Sequence, residues 1–242
     1  MKVLNLYAGI GGNRKLWTDV EVTAVENNQT IANIYKDFFP DDIVIIADAH
    51  EYLLDHFKEF EFIWGSPPCL SHSKLRFMIT KKTMGNAGYD QQIIYPDMKL
   101  YQEIILLQHY FKGLFVIENV KGYYKPLILP KEIGRHYFWS NFQMTSIKTN
   151  LKIKRGTTIK QQITEVGFDI SRYSGIRKDT VLRNCVEPKL GLHILECARG
   201  IIKSQDVTQK TIFDSIHEKE SNEDDNNSIN IDPIHIDPKG SE

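Results

Sequence analysis

The sequence predicts an α/β fold with a mostly parallel sheet and helices on both faces. Three observations predict it. Short apolar runs of strand length alternate with segments of helical periodicity over about the first 200 residues. The first run enters a glycine-rich turn, Gly9, Gly11 and Gly12. Polar residues collect where the runs end, which in an open parallel sheet is where ligands bind.

Taken in order, Lys2–Tyr7 reads as a strand, the glycines as a tight turn, and Asn13–Trp17 as the start of a helix. Val20–Val25 is a second strand ending at Glu26. Gln29–Phe38 has helical spacing through Ile31, Ile34, Tyr35 and Phe38. Ile43–Ala47 is a third strand ending at Asp48, with a helix to about Phe57. Glu61–Trp64 is a fourth strand, stopped by Gly65-Ser66-Pro67-Pro68-Cys69. Met98–Phe111 carries Leu100, Ile104, Leu107 and Phe111 on one helical face. Leu114–Ile117 is a fifth strand ending at Glu118. His136–Phe142 and Ile147–Ile153 read as strands, and Pro188–Ile202 as an amphipathic helix.

Composition narrows the class. The chain has 242 residues, 25% of them charged and 41% hydrophobic, as in an ordinary globular protein. No apolar run reaches the roughly 18 residues of a membrane span. The first residues show no signal-peptide pattern, so the expectation is a cytoplasmic protein with no membrane partner. Cys69, Cys185 and Cys197 include no CxxC pair, so neither a disulfide scaffold nor a metal site is expected.

The net charge of −1 argues against nucleic acid only until it is divided. Residues 203–242 hold four basic and ten acidic residues, a net −6; residues 1–202 carry the remaining +5. That tail is too polar to repay its ordering entropy and is expected to be disordered. From Thr145 to Arg183, nine basic residues face three acids, a net +6. Lys74, Arg76, Lys81 and Lys82 form a second basic run with no acid between Glu61 and Asp90. One such run alone would be a solvated face. Two runs flanking a candidate site point to phosphates and to nucleic acid.

The strand-end residues each admit two readings. An acid ending the second strand, Glu26, suits two ribose hydroxyls. Asp48, just before a helix, suits an N-cap equally well. Cys69 follows a stiff Pro-Pro segment and precedes Ser71, His72, Ser73 and Lys74, where nearby cations would lower a thiol's pKa and favour a nucleophilic thiolate. Glu118 before Asn119 is either a surface turn or a site acid.

Five stretches in order resemble one family. Leu4-Asn5-Leu6-Tyr7-Ala8-Gly9-Ile10-Gly11-Gly12 resembles the first motif of the DNA cytosine-5 methyltransferases, with Tyr7 where Phe is usual. Gly65-Ser66-Pro67-Pro68-Cys69 resembles their Pro-Cys nucleophile motif, and Val116-Ile117-Glu118-Asn119-Val120 their Glu-Asn-Val motif. Arg135-His136-Tyr137-Phe138-Trp139-Ser140-Asn141 is similar to the motif that follows. Leu182-Arg183-Asn184-Cys185-Val186-Glu187-Pro188 resembles the last, Asn-x-Val before a proline and a helix.

The resemblance implies a Rossmann-like S-adenosylmethionine-dependent enzyme that leaves S-adenosylhomocysteine as product. Residues 1–144 would bind the cofactor and carry catalysis. Residues 145–180 would form a short basic target-recognition segment, and 181–202 a returning motif and helix. It implies Cys69, Glu118, Asn119 and Arg135 as catalytic residues. Tyr7, Ala8, Gly9, Gly11, Gly12, Glu26, Asn27, Asp48, Ala49, Pro67, Asn184 and Val186 would bind the cofactor. Ser73, Lys74, Arg76, Lys152, Lys154 and Arg155 would meet double-stranded DNA.

Four departures stand out. The ungapped match sets Gly134 and His136 where the family has Arg-x-Arg, with Arg135 one residue out of register. Leu70 follows the nucleophile where Gln is usual, and Asn27 stacks poorly on an adenine. Only about forty residues separate Asn141 from Asn184, too few for an extensive base-reading surface, which implies a short permissive target site or a homodimer or partner subunit that lends surface. A tRNA cytosine-5 methyltransferase, a non-catalytic DNA-binding subunit of the same fold, and other Rossmann-like chemistry with a chance Pro-Cys are the alternatives. Restriction–modification, phage and epigenetic roles stay equally open.

Overall fold

The computed structural model describes residues 1–74, 95–148, 153 and 156–202. These form a seven-stranded sheet in the order β3-β2-β1-β4-β5-β7-β6. The strands are β1 (Lys2–Leu6), β2 (Glu21–Val25), β3 (Ile43–Ile45), β4 (Phe62–Gly65), β5 (Leu114–Val120), β6 (Lys131–Ile133) and β7 (His136–Ser140). The first five run parallel; β7 lies antiparallel to both β5 and β6. The helices are α1 (Gln29–Phe38), α2 (Ala49–His56), α3 (Lys99–Tyr110), α4 (Ile159–Val166), α5 (Lys178–Arg183) and α6 (Pro188–Ala198).

The period-two alternation of a strand sends successive side chains into two different layers. Val3, Phe62, Trp64 and Val116 pack against Leu190 and Ile194 of α6. Their neighbours Leu4, Leu6, Ile63 and Ile117 pack against Leu53 of α2 and Leu100, Ile104 and Leu107 of α3. The central strands are therefore buried on both faces, which is why they read as nearly continuous apolar runs. Local signals fix the helix starts. Asn28 caps α1 by accepting from the Thr30 and Ile31 amides, and Asp48 caps α2 from His50 and Glu51.

Three sequence expectations need correction. Asn13–Trp17 is a turn and not the start of a helix. Its groups are committed elsewhere: Asn13 Nδ2 donates to Asn5 Oδ1 at 2.8 Å, and Arg14 pairs with Asp42 at 2.9 Å. Gly191 of α6 also lies close against the Asn13 backbone. Of the expected strand at Ile147–Ile153, Ile147, Lys148 and Ile153 belong to no strand, and the rest lies outside the described residues. The helix from Pro188 stops at Ala198, soon followed by left-handed Gly200 at φ 68°. The basic interval holds α4, whose Thr158–Gln161 capping box and left-handed Gly167 mark both ends. Val166 and the following Phe168 and Ile170 join Ile10 and Ile34 in a third core cluster. The acidic tail, 203–242, lies outside the described residues.

Candidate active site

The sheet order reverses between β1 and β4, and a cleft opens there beyond the strand ends. Its volume is ≈ 290 Å³, near the lower end of the roughly 300–1,000 Å³ of small-molecule sites. Tyr7, Ala8, Gly9 and Gly12 form one wall, Glu26 another, and Pro67 and Cys69 a third. Glu118, Asn119, His136, Asn184 and Val186 complete it.

The glycine turn is built by backbone geometry. Tyr7, Gly9 and Gly11 all take positive φ, at 56°, 55° and 85°. Gly9 donates its amide to Glu26 Oε2 at 3.0 Å, and Asn28 donates to Oε1 at 2.9 Å. Each carboxylate oxygen keeps a lone pair for a further donor, which suits a pair of vicinal hydroxyls. A methyl group on Gly12 would lie 2.7 Å from the Val186 carbonyl oxygen and 2.9 Å from the Val186 nitrogen. Only glycine lets the first turn approach the segment that returns some 170 residues later. The Tyr7 hydroxyl donates to Glu103, a fully buried acid on α3 that also meets His50 Nδ1 at 3.0 Å. Burial holds the Glu103 carboxyl above the usual carboxylate range. Nothing in the sequence marked Glu103, because its position fits the apolar face of α3.

The Cys69 loop is clamped at both ends. Proline has no amide to extend the β4 ladder, so Pro67 and Pro68 end the strand. Asn119, itself buried, donates Nδ2 to the Pro67 carbonyl at 3.0 Å. Beyond Cys69, the His72 and Ser73 amides turn back onto the Cys69 carbonyl at 3.1 and 2.9 Å. The Tyr124 hydroxyl meets His72 Nδ1 at 2.6 Å, and the Tyr123 amide donates to the His72 carbonyl at 3.1 Å. Cys69 is thereby held half-buried at the cleft wall.

Its electrostatics differ from the sequence expectation. The Cys69 thiol is pushed up, first by burial and then by the Glu118 carboxylate. Lys74 is exposed, while Ser73 is buried. Arg76, Lys81, Lys82, Lys152, Lys154 and Arg155 lie outside the described residues.

Several other expected site residues stand apart from the cleft lining. Asn27 is exposed. Asp48 spends Oδ1 on the His50 and Glu51 amides at 2.9 and 3.1 Å, and these bonds hold its carboxyl below the usual range. Ala49 is packed in the core, and Gly11 faces Phe39 and Tyr35. Arg135 is exposed in the tight β6–β7 turn beside left-handed Gly134. His136 occupies the cleft in its stead, with Nε2 3.7 Å from Glu118 Oε1. The ungapped motif match had already set His136 in the arginine position; the hairpin turn explains why its neighbour points elsewhere.

Comparison with known proteins agrees with this geometry. No curated protein gives a significant sequence match. Among solved structures, the Entamoeba histolytica methyltransferase EhMeth aligns with a TM-score of 0.52 at 12% identity, covering 84% of this chain and 99% of that one. The likeness extends the fold to a known methyltransferase. Spodoptera frugiperda DNMT2, solved as a triple mutant, aligns at 18% identity over 61% of this chain and 53% of that one, with a TM-score of 0.39. The family model described as C-5 cytosine-specific DNA methylase matches residues 1–127, a span that runs from β1 through the glycine turn and the Cys69 loop to the end of β5. Sheet order, cleft and family model converge, and the chain belongs to the C-5 cytosine-specific DNA methylases.

Proposed function

We propose that this protein methylates carbon 5 of cytosine in DNA with S-adenosylmethionine as methyl donor. The observation that carries the reading is the meeting of Cys69, Glu118 and the glycine–Glu26 cradle in one cleft. The cradle fits the donor: glycines permit close backbone approach, and Glu26 offers acceptors for the ribose hydroxyls. Gly12, Asn184 and Val186 would close over it. When bound, the sulfonium supplies an electrophilic methyl group.

The chain's own residues would do the rest. Cys69 adds as thiolate to carbon 6, forming an S–C bond and turning carbon 5 into an enamine-like nucleophile. Glu118 stabilises protonation at ring nitrogen 3 and keeps charge off the ring as that bond forms. After carbon 5 is methylated, its proton leaves to water or hydroxide. The C6–S bond then breaks, and the thiolate returns to Cys69. Asn119 acts through the Pro67 carbonyl and fixes the loop that aims the thiol. The target atom is unreachable inside a duplex, so the nucleotide must be flipped into the cleft. Residues 145–180, with Ser73, Lys74, Arg76, Lys152, Lys154 and Arg155, are proposed to meet the phosphate backbone, either alone or beside a second subunit.

A covalent trap tests the mechanism. Duplex DNA containing 5-fluorocytosine should capture the wild type with the methyl donor present, and should not capture C69A. An adduct with C69A, or none with the wild type, refutes it. Labelled methyl donor with duplex DNA and tRNA in parallel reads the substrate; label in tRNA alone overturns the DNA reading.

A further inference from the structure

Three titratable groups line the cleft: Cys69 after β4, Glu118 on β5 and His136 at the start of β7. The antiparallel register sets Val120 opposite His136 and Glu118 opposite Phe138. Glu118 and His136 are therefore diagonal neighbours on one face of the ladder, within reach of each other. The observed separation, 3.7 Å from Nε2 to Oε1, is that of an ion pair when the imidazole is protonated.

We propose that His136 is the counter-charge of this site, and that its imidazolium offsets the Glu118 carboxylate so that the Cys69 thiol ionises more readily. The inference takes Cys69 as nucleophile from the reading above, and adds what governs its ionisation. Left alone, burial and the Glu118 charge both oppose the thiolate. The other charged or titratable groups on the cleft are differently engaged. Glu26 holds two backbone amides, Tyr7 is bonded to Glu103, Arg183 is exposed, and the Cys185 thiol is buried and pushed up to about 12. On the neighbouring strand Glu132 pairs with Lys121, and Arg135 is exposed. The proton balance is simple. The thiol proton leaves to solvent, and the imidazolium gives none up, its Nε2 standing 3.7 Å from Glu118 Oε1. His136 acts through Glu118, so it is a positioning residue and not a group that touches the base.

The test reads the thiol directly. Alkylation of Cys69 by iodoacetamide, followed by peptide mass spectrometry, is measured from about pH 5.5 to 9 for wild type, H136Q and H136R, since histidine changes charge within that span. Buried Cys185 and Cys197 serve as internal controls. Near pH 6 the wild type should react about three- to tenfold faster than H136Q, the rate ratio of a shift of about half to one pKa unit. The ratio should fall to one as the imidazole loses its charge, and H136R should stay fast throughout. In an E118Q background the H136Q effect should vanish. A pH-independent ratio, no ratio, or an undiminished effect in E118Q overturns the proposal. Alkylation needs neither DNA nor methyl donor, so its outcome is separate from whether the chain methylates cytosine.

Discussion

Replacing Gly12 by alanine should damage the cofactor end of the cleft more than its size suggests. The new methyl would stand 2.7 Å from the Val186 carbonyl oxygen, 2.9 Å from the Val186 nitrogen and 2.9 Å from Cys185 Cβ. Ordinary contact begins near 3.4 Å, so the shortfall is about 0.7 Å at the oxygen. Two of the three atoms are backbone and cannot rotate away. Overpacking of this kind costs about 1–3 kcal/mol. For a body of this size that is a loss of about 2–12 °C in melting temperature. If the strain is relieved by parting the Gly12 and Val186 walls, the same energy appears as about 5- to 150-fold weaker ligand binding. Calorimetric titration with S-adenosylhomocysteine and thermal melts with and without it measure both quantities. Gly9→Ala is the informative companion. Nothing lies within 4 Å of its would-be methyl, so only the strain of φ +55° is felt, about 1–2 kcal/mol. A G12A protein that melts and binds like wild type would refute the close approach on which the pocket argument rests.

Other outcomes follow from the same geometry. E118Q should abolish methyl transfer while speeding Cys69 alkylation at neutral pH, because the charge that raises the thiol is gone; slower alkylation would contradict the electrostatic reading. N119A should leave the buried Pro67 carbonyl without its donor, costing about 1–3 kcal/mol in denaturant melts and slowing adduct formation. D48A should cost about 1 kcal/mol as a lost helix cap. The folded pKa of Asp48 is depressed, so its contribution is full above the unfolded value and fades as pH falls through the folded one. Wild type and D48A should therefore converge in melting temperature under acid conditions, and a gap that persists there would count against the cap.

Much of the fold was legible because parallel strands announce themselves. Runs such as Lys2–Leu6 and Leu114–Val120 are buried on both faces and carry few polar residues to confuse the pattern. Their ends were legible for the same reason: Glu26, Cys69 and Glu118 interrupt apolar stretches and do line the cleft. What escaped depended on partners distant in sequence. Asn13–Trp17 reads as the start of a helix, but Asn5 and Asp42 claim its groups. By charge the basic interval reads as a target-recognition segment, and Thr158, Gln161 and Gly167 spell out a capped helix within it. Asp48 matched a motif and a cap equally, and its observed bonds are those of the cap. The ungapped match sets His136 in the arginine position, and the left-handed turn at Gly134 accounts for its entering the cleft while Arg135 does not.

The seam between the first turn and α6 also sets an order of events. Trp17 Nε1 donates to the Gly191 carbonyl at 3.0 Å across 174 residues, beside the contact of Gly191 with Asn13. Such a closure is among the most non-local in the body, and its loop entropy must be met before its contacts reward it. A chain still emerging from the ribosome would carry the Cys69 loop and β5 long before Asn184 and Val186 arrive to finish the pocket. On the proposed reading, the methyl donor is then a late ligand in the life of the molecule. By mass action, a saturating concentration at about 100 times its dissociation constant adds about 2.7 kcal/mol to the closed state. Donor supply would thus act as a folding cofactor for the last third of the body, independently of any methyl group transferred.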